Sequence, residues 1–178
     1  MSDSSTELVD LRARLARLEA AEEVRSVMHR YACLIDIGLL DELVTEVLAP
    51  DVTLHLINFP PGDQGDVELS GIDEVKALYA QRLPATPTLA GGHHMTNLNV
   101  AVSQDASTAE ASAYFLFTGR PVAQGGLYQA RLACFDRRWK ILEMNILSTW
   151  GWIPSATEPV TDAVAPSRAW RDGRPVYP

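Results

Sequence analysis

Leu8, Leu11, Leu15, Leu18, Val27, Tyr31 and Leu34 recur at spacings of three, four or their sums, and no Gly or Pro interrupts residues 7–37. That period predicts one long helix or two joined ones. The first half, LRARLARLEAAEE, alternates charge with leucine as a solvated amphipathic arm does, whereas VMHRYACLIDIG is apolar enough to be buried. Gly38 is the expected stop. A short second helix is expected in LLDELVTEVLAP, ended by Pro50.

The period then changes. Residues 51–57 (DVTLHLI) have the β-branched and apolar content of a strand, and NFPPGDQGD after them reads as a loop. A third helix is expected over residues 71–83, with Ile72, Val75, Leu78, Tyr79 and Leu83 on one side and Pro84 and Pro87 breaking it. HHMTNLNVAV, TAEASAYFLFTG, GLYQARLACF and WKILEMNILSTW then read as four strands of an antiparallel meander, joined by SQDAS, RPVAQGG and the turn at residues 136–138. Helices first and strands later predict an α+β fold, with a curved antiparallel sheet wrapped over the N-terminal helices. The domain is expected to span residues 1–152, with an arm at 1–21. A Pro- and Ala-containing tail at 153–178 needs another surface to order it.

The chain has 178 residues, 47% apolar and 21% charged, so one globular domain with a sizeable core is expected. Its net charge of −8 argues against nucleic acid and anionic membrane as partners. No run approaches the roughly 18 apolar residues of a membrane span. The opening MSDSSTE lacks the basic and apolar regions of a secretory signal, so a cytoplasmic location is expected. Cys33 and Cys134, far apart in apolar stretches, suit a reducing compartment and are expected to be core packing.

The candidate chemistry is acid–base. Asp36 lies in the apolar string LIDIG, where a carboxylate is costly to bury unless it is paired or hydrogen-bonded. His29, Cys33 and Asp36 share a helical stripe, which makes His29 a rival partner. Tyr31 stands roughly 140° from Asp36 around the helix, so both can flank one cavity. His93 and His94 open a strand and must point to opposite faces. Strict alternation groups His93, Met95, Asn97 and Asn99 against His94, Thr96, Leu98 and Val100, which leaves open which histidine faces inward. His55 sits between Leu54 and Leu56 as a pocket donor or a half-exposed residue. No GxGxxG, P-loop, GxSxG or HExxH occurs, and no His or Asp spacing suggests a metal. No cofactor and no metal are expected.

RYACLIDIG, VLAPDVTLHL, GGHHMTNLNV and GLYQARLACFDRRWKIL followed by STWGW, in this order and spacing, resemble the SnoaL-like branch of the nuclear-transport-factor-two-like superfamily, especially the scytalone dehydratases and bile-acid dehydratase-like enzymes. The resemblance spans roughly residues 22–152. It implies a cone-shaped α+β barrel, a pocket for a small apolar oxygenated molecule, and metal-free chemistry in which an Asp on the first helix orients a proton-abstracting His. Asp36 matches that Asp, His93 matches the His, and Tyr31 resembles a Tyr placed five residues before the Asp. Tyr128 falls at a pocket position that could donate to a substrate oxygen, and His55, Asn97, Tyr114 and Trp150 are expected to line the pocket with it. Ile35 replaces a Tyr of the fungal enzymes, which argues against their substrate. The expected function is a dehydratase. A polyketide cyclase or isomerase on the same dyad, or a non-catalytic binding or scaffold protein, is the alternative. A homo-oligomer, trimer or dimer, is expected because the open sheet face needs cover and relatives associate. Trp150, Trp152 and Trp170 would mark where the tail covers the cone or a neighbouring subunit.

Overall fold

The structure is a computed structural model that describes residues 4–58, 66–82, 92–118, 123–152 and 165–166. One unbroken helix, α1 (Ser4–Asp36), opens the chain, and its buried stripe of Ala20, Val24, Met28, Tyr31 and Ile35 belongs to the C-terminal half. Gly38, at φ 73°, ends it. Its amide donates to the Ile35 carbonyl (3.1 Å) and that of Leu39 to the Leu34 carbonyl (2.9 Å), the paired bonds of a Schellman cap. The next helix, α2 (Leu40–Glu42), is shorter than expected and runs into a π-helical turn, Leu43–Val47.

Strand β1 (Leu48–Ile57) begins before Pro50 rather than after it. Proline is tolerated there because the pairing of β1 with the last long strand shifts register between Leu48 and Thr53, so no ladder amide is needed at that residue. A short strand β2 (Val67–Ser70), absent from the sequence expectation, pairs antiparallel with β1 and leads through Gly71 into α3 (Ile72–Arg82). The four expected meander strands are β3 (Gly92–Val102), β4 (Thr108–Thr118), β5 (Ala123–Phe135) and β6 (Arg138–Trp152). The expected turn before β5 is partly strand, since residues 123–126 pair with both neighbours. Spatial order is β2-β1-β6-β5-β4-β3, and among the described residues only β1 and β6 pair in parallel. The two residues of β7 (Ala165–Pro166) pair with β6 at Trp150 and Gly151. The expected loop at 59–65, the breaks at Pro84 and Pro87, Trp170 and the remainder of the tail lie outside the described residues.

One face of this curled α+β sheet packs on α1 and α3. Leu54, Leu56, Ala109, Ala111, Phe115, Tyr128, Ala130, Leu132, Met144 and Ile146 meet Val24, Met28, Tyr31, Val75 and Tyr79 in a single core. The opposite, outer face is mostly polar. Cys33 is exposed, correcting the expectation of core packing, because it lies off the α1 stripe that the sheet covers; Cys134 is partly buried against the core.

Candidate active site

Asp36 is the last residue of α1. A carboxylate there faces the negative end of the helix dipole, so it needs outside donors. Strand β3 supplies them. The His93 amide donates to Asp36 Oδ2 at 2.8 Å, and His93 Nδ1 lies 2.6 Å from Oδ1. With Nδ1–H donating to the carboxylate, Nε2 carries the free lone pair. His29 is exposed on α1 and does not compete for Asp36. The approach is close because β3 starts with a glycine: a Cβ on Gly92 would lie 3.1 Å from Asp36 Oδ2. The two side chains are partly buried, keeping 13% (His93) and 19% (Asp36) of their surface. The His93 ring leans on Phe117, with centroids 4.8 Å apart and planes at 45°.

Behind the pair stands a group of buried phenols. The Tyr31 hydroxyl hydrogen-bonds the hydroxyl of Tyr79 on α3. Tyr31 meets Tyr128 edge to face at 6.1 Å, and Tyr128 stacks on Phe115 at 4.4 Å. Burial, then the neighbouring Tyr79 and Tyr128 phenols, push the Tyr31 pKa well above the ordinary phenol range. Burial also raises Tyr128, helped by Tyr79 and by the charge of Asp36. Both therefore stay neutral donors at any physiological pH. The sequence alone puts Tyr79 in an apolar stripe and gives it no role. The available signal was that a tyrosine at a core position must find a partner for its hydroxyl.

The question of which histidine faces inward is answered by a bulge. The β3–β4 register shifts between Thr96 and Asn99, and Asn97 takes φ 52°. Strict alternation fails at that residue, so His93 and Met95 share the inner face with Leu98, Val100 and Val102, while His94, Thr96, Asn97 and Asn99 are exposed. Four residues expected at the pocket are thus not brought to Asp36. Asn97 is turned out by the bulge. His55 shares the outer face with Thr53 and Ile57, opposite Glu68 and Asn145. Tyr114 is 39% exposed between buried Ala113 and Phe115. Trp150 covers Gly125, where an added Cβ would fall 2.4 Å from the indole nitrogen, on the outer side that Leu116 also occupies. Asp36, His93, Tyr31 and Tyr128 are brought together.

The inner face holds two further buried polar side chains at the same end of the sheet. Gln124 is in the cross-strand row of His93 and Phe117, and Ser148 is in the row of Met95, Phe115 and Gly126. Ser148 Oγ is buried without a hydrogen-bond partner among the described residues. A polar groove of about 420 Å³, edged by Glu110, Ser112, Gln129, Arg131 and Glu143, lies on the outer face, away from the pair. Among the described residues no three His, Cys, Asp or Glu side chains converge as metal ligands, and no helix is long and apolar enough to cross a membrane.

Helices capping one face of a curled sheet, with an Asp–His contact where the end of α1 meets β3, define a class. The family profile described as SnoaL-like domain matches residues 16–145, and the chain belongs to that family. Similar solved structures include a provisionally named scytalone dehydratase from Novosphingobium aromaticivorans (19% identity, 90% of this chain and 99% of that one, TM-score 0.58). LinA is similar at 15% identity over 85% and 99% of the two chains, with a TM-score of 0.66. The hexachlorocyclohexane dehydrochlorinase LinA-type3 from Novosphingobium barchaimii is similar at 14% identity over 84% and 99%, with a TM-score of 0.64. At these identities the likeness establishes the shared fold. No curated protein matches the sequence.

Proposed function

We propose that this protein is a metal-free acid–base enzyme, a dehydratase acting on a small, apolar, hydroxylated polycyclic or polyketide-like molecule. The observation that carries the reading is the two-point hold of Asp36 on His93, through the backbone amide and Nδ1. An imidazole oriented this way presents Nε2 as base, and the carboxylate stabilises the imidazolium that forms. His93 removes a proton beside a carbonyl or phenol-like group. The C–H electrons form the new double bond, the C–O bond breaks, and the departing hydroxide takes the proton back from the His93 imidazolium to leave as water, which returns the neutral base. Neutral Tyr31 or Tyr128 donates a hydrogen bond to the substrate oxygen where negative charge gathers, an interaction that low-polarity surroundings strengthen. The names of the similar structures support the reaction type, since a dehydratase and a dehydrochlorinase both eliminate across adjacent carbons.

The test uses a bicyclic β-hydroxyketone whose dehydration yields a naphthol, followed by ultraviolet absorbance and by loss of one water in mass spectrometry. His93→Gln should retain binding and lose about 10²- to 10⁴-fold in turnover, the usual worth of a positioned base; undiminished turnover would sink the assignment. The same ketone without its hydroxyl, incubated in D₂O, separates the rivals. Exchange at the α-carbon without water loss from the hydroxyketone would move the reading to an isomerase or cyclase. Binding with neither reaction would move it to a non-catalytic ligand carrier.

A further inference from the structure

Residues 4–16 of α1 are helical yet exposed at every position. Leu8, Leu11, Leu15 and Leu18 are 49%, 59%, 53% and 69% exposed. Their spacing of three, four and three is that of the a and d positions of a heptad, the seam of a two-stranded coiled coil. The leucines are not a continuation of the chain's own core stripe. Ala20, Val24, Met28 and Tyr31 face the sheet, and carried back along the helix that stripe meets Arg17, Ala13 and Asp10. Leu18 is turned roughly 160° from Ala20, toward solvent.

The flanking charges select the partner and its direction. With Leu8 at a, Glu7 and Arg14 occupy g positions, and Arg12 and Glu19 occupy e positions. In a parallel pair g faces e five residues later in the other chain, so Glu7 meets Arg12 of the second copy and Arg14 meets its Glu19, twice by symmetry. In an antiparallel pair with Leu8 on Leu18 and Leu11 on Leu15, Arg12 would face Arg12 and Arg14 would face Arg14. Like charges so placed repel. We propose that the arm of α1 pairs in parallel, in register, with the same segment of a second copy of this chain. The seam is short, and short helices are marginal in water. Here the nucleus is already formed, because the second half of the same helix is anchored on the sheet.

Cross-linking of the full chain tests it. Under mild oxidation Leu11→Cys should form disulfide-linked dimers roughly tenfold or more faster than Val9→Cys or the unmodified chain, since a seam holds its thiols at millimolar effective concentration. The unmodified chain gives the background from Cys33 and Cys134. Equal rates at positions 9 and 11 would overturn the pairing. Faster linking of mixed Leu8→Cys and Leu18→Cys chains than of Leu11→Cys with itself would overturn the direction. In the Leu11→Cys background, Glu7→Arg with Glu19→Arg should drop self-linking to the Val9→Cys level, and mixing with Leu11→Cys chains carrying Arg12→Glu and Arg14→Glu should restore it. Undiminished self-linking of the first variant would overturn the charge pairing.

Discussion

A carboxylate at the last position of a helix is held against the dipole, and in this chain Asp36 tolerates it because two donors of one residue, His93, answer its two oxygens. That pairing was legible in part. Asp36 stood out as a charge in an apolar string, but nothing local told His93 from His94, and only the resemblance favoured the first. Tyr79 was not legible, since a hydroxyl on a core stripe announces no partner until the fold brings one, and neither was Ser148, whose burial depends on the strand register. Gly92 is the least conspicuous member of the site. A methyl group there would press on Asp36 Oδ2 from 3.1 Å, while alanine at a strand position otherwise loses less chain entropy than glycine on folding. Gly92→Ala should therefore leave stability within about 1 kcal/mol of the parent and yet disturb the pair. Nitrogen-15 NMR of the neutral His93 ring reads this directly: the parent should carry its proton on Nδ1, and the variant should show that tautomer weakened. An unchanged imidazole spectrum would mean that the carboxylate yields without cost.

Among the elements, periodicity found α1, α3 and the four meander strands, and failed where a single residue breaks the period. Asn97 is the clearest case. Its left-handed backbone inserts the extra residue that lets His93 and Val100, of opposite parity, face the same core. The sequence signal was only an asparagine, which visits that region more readily than other residues. Four of the expected pocket residues were misplaced for related reasons, because strand parity assigns a residue to a face only once the register with its neighbours is known. Asn97 is exposed, so packing contributes little at this position and the backbone dominates. Asn97→Val should cost about 1–2 kcal/mol, the penalty of a branched residue in the left-handed region, whereas Asn97→Gly should be neutral. Urea midpoints decide it. Equal midpoints for the parent and the valine variant would show that the bulge is not maintained by this residue's conformation.

At the scale of the whole molecule, Tyr31 and Tyr128 belong to the core as well as to the candidate site, so the stability of the fold should report on the phenols proposed as donors. Tyr31 and Tyr128 are held with pKa values well above the ordinary phenol range, first by burial and then by one another's neighbours. In the unfolded chain they ionise near the usual value of about 10. Below that pH both states carry the protons, and the phenols add no pH dependence. As pH rises from about 10 toward the folded values, the unfolded state releases protons that the folded state keeps. Folded stability must then fall, by up to about 1.4 kcal/mol per pH unit for each such phenol. Tyr128→Phe keeps the stack on Phe115 and removes one of the two groups. Denaturant unfolding of the parent and this variant should give parallel stabilities up to about pH 9.5 and diverge above pH 10, with the variant losing stability less steeply. Lysine titration affects both proteins alike and cancels in the difference. Curves that stay parallel to about pH 12 would mean that the Tyr128 hydroxyl reaches water in the folded state, and the neutral donor proposed beside Asp36 would have to be Tyr31 alone.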